Sequence, residues 1–282
     1  MKTIASRQNP LVRAFRDLAD RPDPEGRRLL LDGAHLVRDA LTAGVEFEAV
    51  CVAAARADGE AEEGTLARAL HQRGINVVAV PDQVLAAVSP VRTPSGIVAI
   101  ATRPQAVPDL AGIAGRGSSL VLVGVDVQDP GNVGALLRVA EAAGAAGVVI
   151  AGHSASPFSW KALRGSMGSA LRLPVAQERS VSHVLDVLRA SDVRTVAAVA
   201  RDGSAPDDVT WTGRVAMFVG GEGPGLSEEV IASCDARTTI PMAPPVESLN
   251  VTVAAAILLY AARRQRDARN NSRDAVTTDR DL

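Results

Sequence analysis

Aromatic side chains are almost absent: 2% of the 282 residues, namely Phe15, Phe47, Phe158, Phe218, Trp160, Trp211 and Tyr260. That scarcity argues against modules that grip nucleic acid by stacking bases on aromatic platforms, and it requires an aliphatic core. Cysteine is equally scarce. Cys51 and Cys234 have no Cys or His neighbours at metal-ligand spacing, which argues against a zinc site and, with two thiols in so long a chain, against a disulfide framework. No metal is expected. The start, MKTIASRQNP, lacks the apolar stretch of a signal peptide, and the longest apolar run, 251–262, falls short of the roughly 20 residues that cross a bilayer. The expectation is a cytoplasmic protein with no membrane partner.

Lysine is the remaining shortage. Only Lys2 and Lys161 interrupt an otherwise all-arginine set of 30 basic residues, set against 32 acidic ones. Arginine enrichment follows from genomic composition, which the wealth of Ala, Gly and Val also suggests, or from use of guanidinium forks on phosphate. Residues 1–28 carry seven basic against four acidic side chains, the pattern of a basic arm on a nucleic-acid backbone or of a solvated helix face.

What is present is alternation. Residues 1–106 read as a compact α/β unit, with an amphipathic helix over 9–19, a strand running into a helix in LLLDGAHLVRDALTAG, strands FEAVCVA, INVVAV and GIVAIA, and a helix around 66–72. The stretch RPQAVPDLAGIAGRGSS is rich in Pro, Gly and Ser without a sustained period, and a linker is placed at 107–118. From 119 to 265, strands and helices alternate: LVLVGVDV, a helix NVGALLRVAEAAG, GVVIAG, a helix over 160–171, LPVAQ, a helix over 182–190, VRTVAAVA, RVAMFVG, LSEEVIASC, TTIPM and a last helix from 248 to about 264. Such alternation predicts a mostly parallel sheet covered on both faces. The polar tail 266–282 reads as disordered.

In open α/β sheets the ligand site lies beyond the carboxyl ends of the strands. Three loops there are unusual: DVQDPGNVGALLR, FVGGEGPGLS and IPMAPPVESLN. GGEGPGL never satisfies G-x-G-x-x-G, neither lysine follows a glycine as a phosphate loop requires, and no G-x-S-x-G elbow marks a nucleophile. What the loops share is exposed backbone. Glycines 220, 221, 223 and 225 either let a flat ligand approach main-chain N–H and C=O groups or simply make a tight turn. Asn132 reads as an N-cap; Arg138, one turn beyond Gly134, either meets an anionic phosphate near the helix start or pairs with Glu141. Ser248 and Asn250 head a helix apolar nearly all round, as caps or as ligand contacts, and such a helix is buried in the core or against another subunit.

Together, in order and separation, DPGNVGALLRVAEAAG, FVGGEGPGLS and IPMAPPVESLNVTVAAAILLY resemble the three motifs of the SpoU (TrmH-like) family of RNA ribose 2′-O-methyltransferases, within the SPOUT superfamily. The likeness covers about residues 120–264. SRQNPLVRAFRDL, LLLDGAHLVRDAL and TPSGIVAI are similar to the family's substrate-binding domain, an L30-like α/β fold. The resemblance implies an α/β protein whose parallel-sheet domain carries a deep trefoil knot, a homodimer, and S-adenosyl-L-methionine held bent by main chain at Gly220, Ile240 and Leu249 with Gly221, Glu222, Met242 and Asn250. It also implies a catalytic set of Asn132, Arg138, Glu222, Ser248 and Asn250, with Arg138 assigned to activation of the ribose hydroxyl. A guanidinium is a very poor proton acceptor, so the chemistry favours Arg138 as phosphate anchor and alkoxide stabiliser. One departure stands out: the family often has asparagine where Gly221 stands. The implied substrate is structured RNA, 23S rRNA before tRNA; a non-catalytic RNA-binding or ribosome-assembly factor on the same fold is the alternative. Neither the nucleotide modified nor the purpose, routine maturation or antibiotic resistance, is written in these motifs.

Overall fold

The computed structural model describes residues 1–21, 23, 26–103, 109–115 and 119–278, with side chains up to 269. The chain divides into two compact units, Met1–Ala106 with Ser156–Arg172, and Val107–Ala155 with Leu173–Leu282.

The first unit contains β1 (Lys2–Thr3), α1 (Pro10–Asp20), β2 (Arg28–Asp32), α2 (Ala34–Thr42), β3 (Glu46–Ala53), α3 (Ala54–Ala57), α4 (Glu62–Gln72), β4 (Val77–Val80), α5 (Asp82–Val88) and β5 (Ile97–Thr102). Its mixed sheet has the order β1-β4-β3-β5-β2, with β5 antiparallel to both neighbours. α1 starts where physical chemistry directs: Asn9 accepts the Leu11 N–H at 2.9 Å, Pro10 occupies the first turn, and Val12, Phe15 and Leu18 recur on one buried face.

Between the second unit's β7 and β8 the chain contributes α8 (Trp160–Ser166) and α9 (Ser169–Arg172) to the first unit. The single helix expected over 160–171 is broken because Met167 and Gly168 take φ of 49° and 84°. Gly168 leaves no room for a side chain, since a Cβ there would fall 2.2 Å from Asp39 Oδ2, and Arg172 Nη1 lies 3.4 Å from the same oxygen. The Arg103 guanidinium covers the Phe158 ring at 3.7 Å, and Trp160 packs on the core built around Phe15 and Ile100. These contacts, made by small and aromatic residues without helical periodicity, separate 156–172 from the continuous 119–265 domain read from the sequence.

The second unit holds α6 (Leu110–Ala114), β6 (Leu120–Val125), α7 (Pro130–Ala142), β7 (Gly147–Ala151), β8 (Val175–Glu178), α10 (Val181–Ala190), β9 (Arg194–Ala198), β10 (Val215–Gly220), α11 (Glu228–Ser233), β11 (Ala236–Thr238) and α12 (Val251–Thr278). Its six strands are all parallel, in the order β11-β9-β10-β6-β7-β8. Val121, Val123 and Val125 of β6 face α6, α10 and α11. Gly124, pointing oppositely, meets Leu136 of α7, against which α12 packs. From β6 the chain moves outward through β7 and β8, then returns on the other side of β6 to build β9, β10 and β11. The reversal lies between β6 and β10, whose carboxyl ends register as Val125 opposite Gly220.

Two expectations are corrected here. Of the 107–118 linker, residues 107, 108 and 116–118 lie outside the described ones, but 110–114 form α6, capped by Asp109 and buried in the core through Leu110, Ile113 and Ala114. The tail is helical through residue 278, and 279–282 lie outside the described residues. Polar side chains carry α12 past 264: Gln265 accepts the Trp211 N–H at 3.1 Å and donates to Val209 O at 2.9 Å, and Arg266 donates to Gly213 O at 2.6 Å. No helix among the described residues is long and apolar enough to cross a membrane.

Candidate active site

On the β10 side of the reversal lies a cleft of about 710 Å³, lined by residues 198–202 at and beyond the end of β9, 219–226 around the end of β10, and Ile240, Met242 and 248–251 after β11. Glycine shapes the middle wall. A Cβ on Gly220 would fall 2.2 Å from both Gly225 C and Leu226 N, so the 220–226 turn folds back on a position that excludes any side chain. Gly223 and Gly225, at φ of 93° and 71°, face open space instead, and their backbone is accessible.

The first loop contributes Asn132. Helix α7 starts at Pro130 with Asp129 as its cap, the carboxylate accepting the Gly131 N–H at 2.6 Å. Asn132 is therefore not the N-cap expected from the sequence: proline favours the first helical position, which moves the cap upstream and frees the Asn132 amide. That amide donates to Glu222 Oε1 at 2.5 Å and accepts from Asn250 Nδ2 at 3.2 Å. Asn250 caps α12, its Oδ1 accepting the Thr252 N–H at 2.9 Å, so the helix starts at Val251 rather than at 248. Glu222 Oε2 accepts the Gln128 N–H at 3.2 Å. Partial burial works against the Glu222 charge, but the Asn132 amide and the backbone N–H groups of residues 222, 128 and 129 outweigh it and hold the carboxyl below the usual glutamate range.

Asn132, Glu222 and Asn250 are thus brought together, and Gly220, Gly221, Glu222, Ile240, Met242, Ser248, Leu249 and Asn250 all line one cleft. Arg138 is not among the lining residues; it is exposed on α7 and makes no hydrogen bond or ion pair among the described residues, so the pairing with Glu141 that spacing allows does not form. Sequence reading missed the 199–202 wall, whose only signal is its place after a strand, and Thr252, whose hydroxyl lies 3.5 Å from Asn132 O. Among the described residues no group of three or more His, Cys, Asp or Glu side chains is arranged to hold a metal ion.

The profile of the SpoU rRNA methylase family matches residues 119–260, which include all three loops. The chain belongs to this family. An MRM3-like substrate-binding domain matches residues 9–99 of the same SpoU chain. Over 93% of its length the SpoU chain is 34% identical to an uncharacterized tRNA/rRNA methyltransferase of Synechocystis sp., covering 94% of that protein. It is 31% identical, over 93% of its own length and 100% of the relative's, to the 23S rRNA (guanosine(2553)-2′-O)-methyltransferase RlmP of Bacillus subtilis. The AdoMet-bound rRNA methyltransferase from Sinorhizobium meliloti superposes with a TM-score of 0.81 at 28% identity, covering 94% of this chain and 98% of that one.

Proposed function

We propose that this SpoU chain transfers a methyl group from S-adenosyl-L-methionine to a ribose 2′-hydroxyl of structured RNA, with 23S rRNA as the substrate, in the cytoplasm and as a homodimer. The observation that carries this reading is the convergence of Asn132, Glu222 and Asn250, one from each of three separate loops, beside a cleft walled by accessible glycine backbone.

The residues present fit the cofactor. The cleft falls in the roughly 300–1,000 Å³ range of small-molecule sites, and it combines apolar Ile240, Met242 and Leu249 with the open backbone of Gly223 and Gly225, which suits a flat heterocycle read by main chain. When bound, S-adenosyl-L-methionine supplies an activated methyl group on a sulfonium. The chain's own residues do the rest. Glu222, held in its charged form, accepts hydrogen bonds at neutral pH and does not donate a proton. Asn132 and Asn250 fix its orientation, and Ser248 adds a hydroxyl at the same rim. Arg138, exposed and without a hydrogen-bond or ion-pair partner among the described residues, anchors the phosphate beside the target ribose and stabilises the developing alkoxide, the proton leaving to phosphate or water.

The homodimer is supported by α12, where Val253, Ile257 and Tyr260, at i, i+4 and i+7, are 48%, 42% and 51% exposed on one face. Light scattering that returns a monomer mass would remove this part. A trefoil knot belongs to the same reading and is supported by the family and by the way residues 199–202, 220–226 and 240–250 share one cleft. A closed chain trace that relaxes to an unknotted line would remove that.

Transfer of labelled methyl to 23S rRNA and to tRNA, assayed separately, tests the activity. Labelling of 23S rRNA at ribose supports the proposal. Labelling of tRNA alone redirects the substrate class, and no calorimetric binding of S-adenosyl-L-methionine overturns the enzyme reading.

A further inference from the structure

Asp126 is not among the residues lining the cleft, yet its turn is tied down by hydrogen bonds at each of its three residues. It follows β6 at a φ of 55°, a left-handed conformation that aspartate adopts when its side chain bonds locally. Its Oδ1 accepts the His153 N–H at 2.7 Å, and its own N–H donates to Ala151 O at 3.2 Å. Next along the chain, Val127 N–H donates to Ser154 Oγ at 2.9 Å, and Ala155 N–H donates back to Val127 O at 2.8 Å. The third residue, Gln128, gives its N–H to Glu222 Oε2 at 3.2 Å. Two glycines allow this closeness. A Cβ on Gly152 would lie 2.3 Å from Asp126 Oδ1, and a Cβ on Gly221 would lie 1.9 Å from Asp126 O. Gly221, the departure from the family's asparagine, is thus the position against which the Asp126 carbonyl rests.

We propose that Asp126 is a positioning residue for the methyl-transfer site: its carboxylate ties the 126–128 turn to the loop after β7 and so aims the Gln128 N–H at Glu222. The proposal rests on the functional reading above and adds a residue that is not itself among those lining the cleft. Loss of the carboxylate acceptor releases the turn, and the Gln128 N–H leaves Glu222. Glu222 then loses one of the donors that keep it charged, and its titration moves up. Among the described residues, the other charged groups lining the same cleft as Glu222 are Arg201, Asp202, Glu228 and Arg237, Asp129 stands on the facing turn, and His153 gives its backbone N–H to Asp126; none of these residues is replaced in the variants.

Three substitutions separate backbone from side chain. Asp126→Asn keeps both the acceptor oxygen and tolerance of the left-handed region, Asp126→Gly keeps only the backbone freedom, and Asp126→Ala keeps neither. Asp126→Asn is expected to stay within about threefold of wild-type kcat, and Asp126→Gly to lose roughly tenfold, the scale of one hydrogen bond to a charged group. KM for RNA and calorimetric affinity for S-adenosyl-L-methionine stay unchanged in both, while the acid limb of the pH–rate profile of Asp126→Gly moves to higher pH. Wild-type kcat in Asp126→Gly, or an unmoved acid limb, overturns the proposal. So does a loss shared equally by Asp126→Asn, because a role of the carboxylate oxygen as acceptor predicts rescue there. Should Asp126→Gly fold poorly, Ser154→Ala removes the neighbouring tie at Val127 and is expected to shift the same limb by less; no shift counts against the brace. If the wild-type protein methylates no RNA, the functional reading fails on its own, and ¹³C NMR titration of the Glu222 carboxyl in wild type and Asp126→Gly still decides whether the brace exists.

Discussion

Asn132 and Glu222, separated by 90 positions in the chain, are joined by a 2.5 Å hydrogen bond that ties Asn132 to a residue lining the cleft. Each residue is held from a second direction, Asn132 by Asn250 and Glu222 by the Gln128 N–H. Asn132→Ala removes the amide that serves both neighbours. The expected result is a loss of about ten- to a hundredfold in methyl transfer, the range for hydrogen bonds to charged groups, with S-adenosyl-L-methionine affinity retained by calorimetry.

Glu222 also makes stability depend on pH. Its folded carboxyl titrates below the ordinary range, so the charged form is favoured by folding. That contribution is present above the unfolded pKa and is lost as pH falls through the folded one. Wild type is therefore expected to melt above Glu222→Gln at neutral pH, with the two melting curves converging as pH drops from about 7 to about 3. A constant gap across that window contradicts the assignment.

Gly220→Ala introduces a methyl group where Gly225 C and Leu226 N lie 2.2 Å away, so the 220–226 turn has to open. Weakened cofactor binding, by about tenfold or more, is expected in calorimetric titration, since main chain forms that wall of the cleft.

Arg138→Ala is expected to nearly abolish methyl transfer while cofactor affinity and melting temperature stay unchanged. Exposed, unpartnered side chains usually change stability by no more than about 0.5 kcal/mol. Full activity in this variant removes Arg138 from the mechanism.

Ile113→Ala tests the segment expected to be linker. Ile113 is fully buried and packs beside Gly147, and the large-to-small change is expected to cost about 2–5 kcal/mol in urea unfolding. A linker residue would cost nothing.

The parts of this molecule legible in its sequence are those written in local chemistry. The alternation after 119 specifies a parallel sheet, and Gly220, Gly223, Gly225, Asn132, Glu222 and Asn250 stand out because loops dense in glycine and amide side chains follow strands. What escaped depends on distant partners. α6 buries only three apolar residues, Leu110, Ile113 and Ala114, in a five-residue helix too short to establish a period, although the Asp109 cap marks its start. α12 runs past 264 on Gln265 and Arg266, polar residues that satisfy backbone carbonyls near Trp211 and Gly213, and hydropathy reads such residues as a solvated tail. The cap of α7 was misplaced by three residues because Asn132 looks like a cap until Pro130 is counted as the first helical residue.

The assignment of Ser156–Arg172 to the first unit has a consequence for modularity. The backbone passes between units three times: ahead of α6, between Ala155 and Ser156, and between Arg172 and Leu173. No single cut separates them. An evolutionary exchange of substrate units, or a laboratory chimera, has to transplant residues 1–106 and 156–172 as a matched pair; moving the first stretch alone strands Phe158, Gly168 and Arg172 without the Arg103 and Asp39 they grew up against. Substitution within the two stretches leaves these pairings in place, whereas replacement of either stretch alone breaks them.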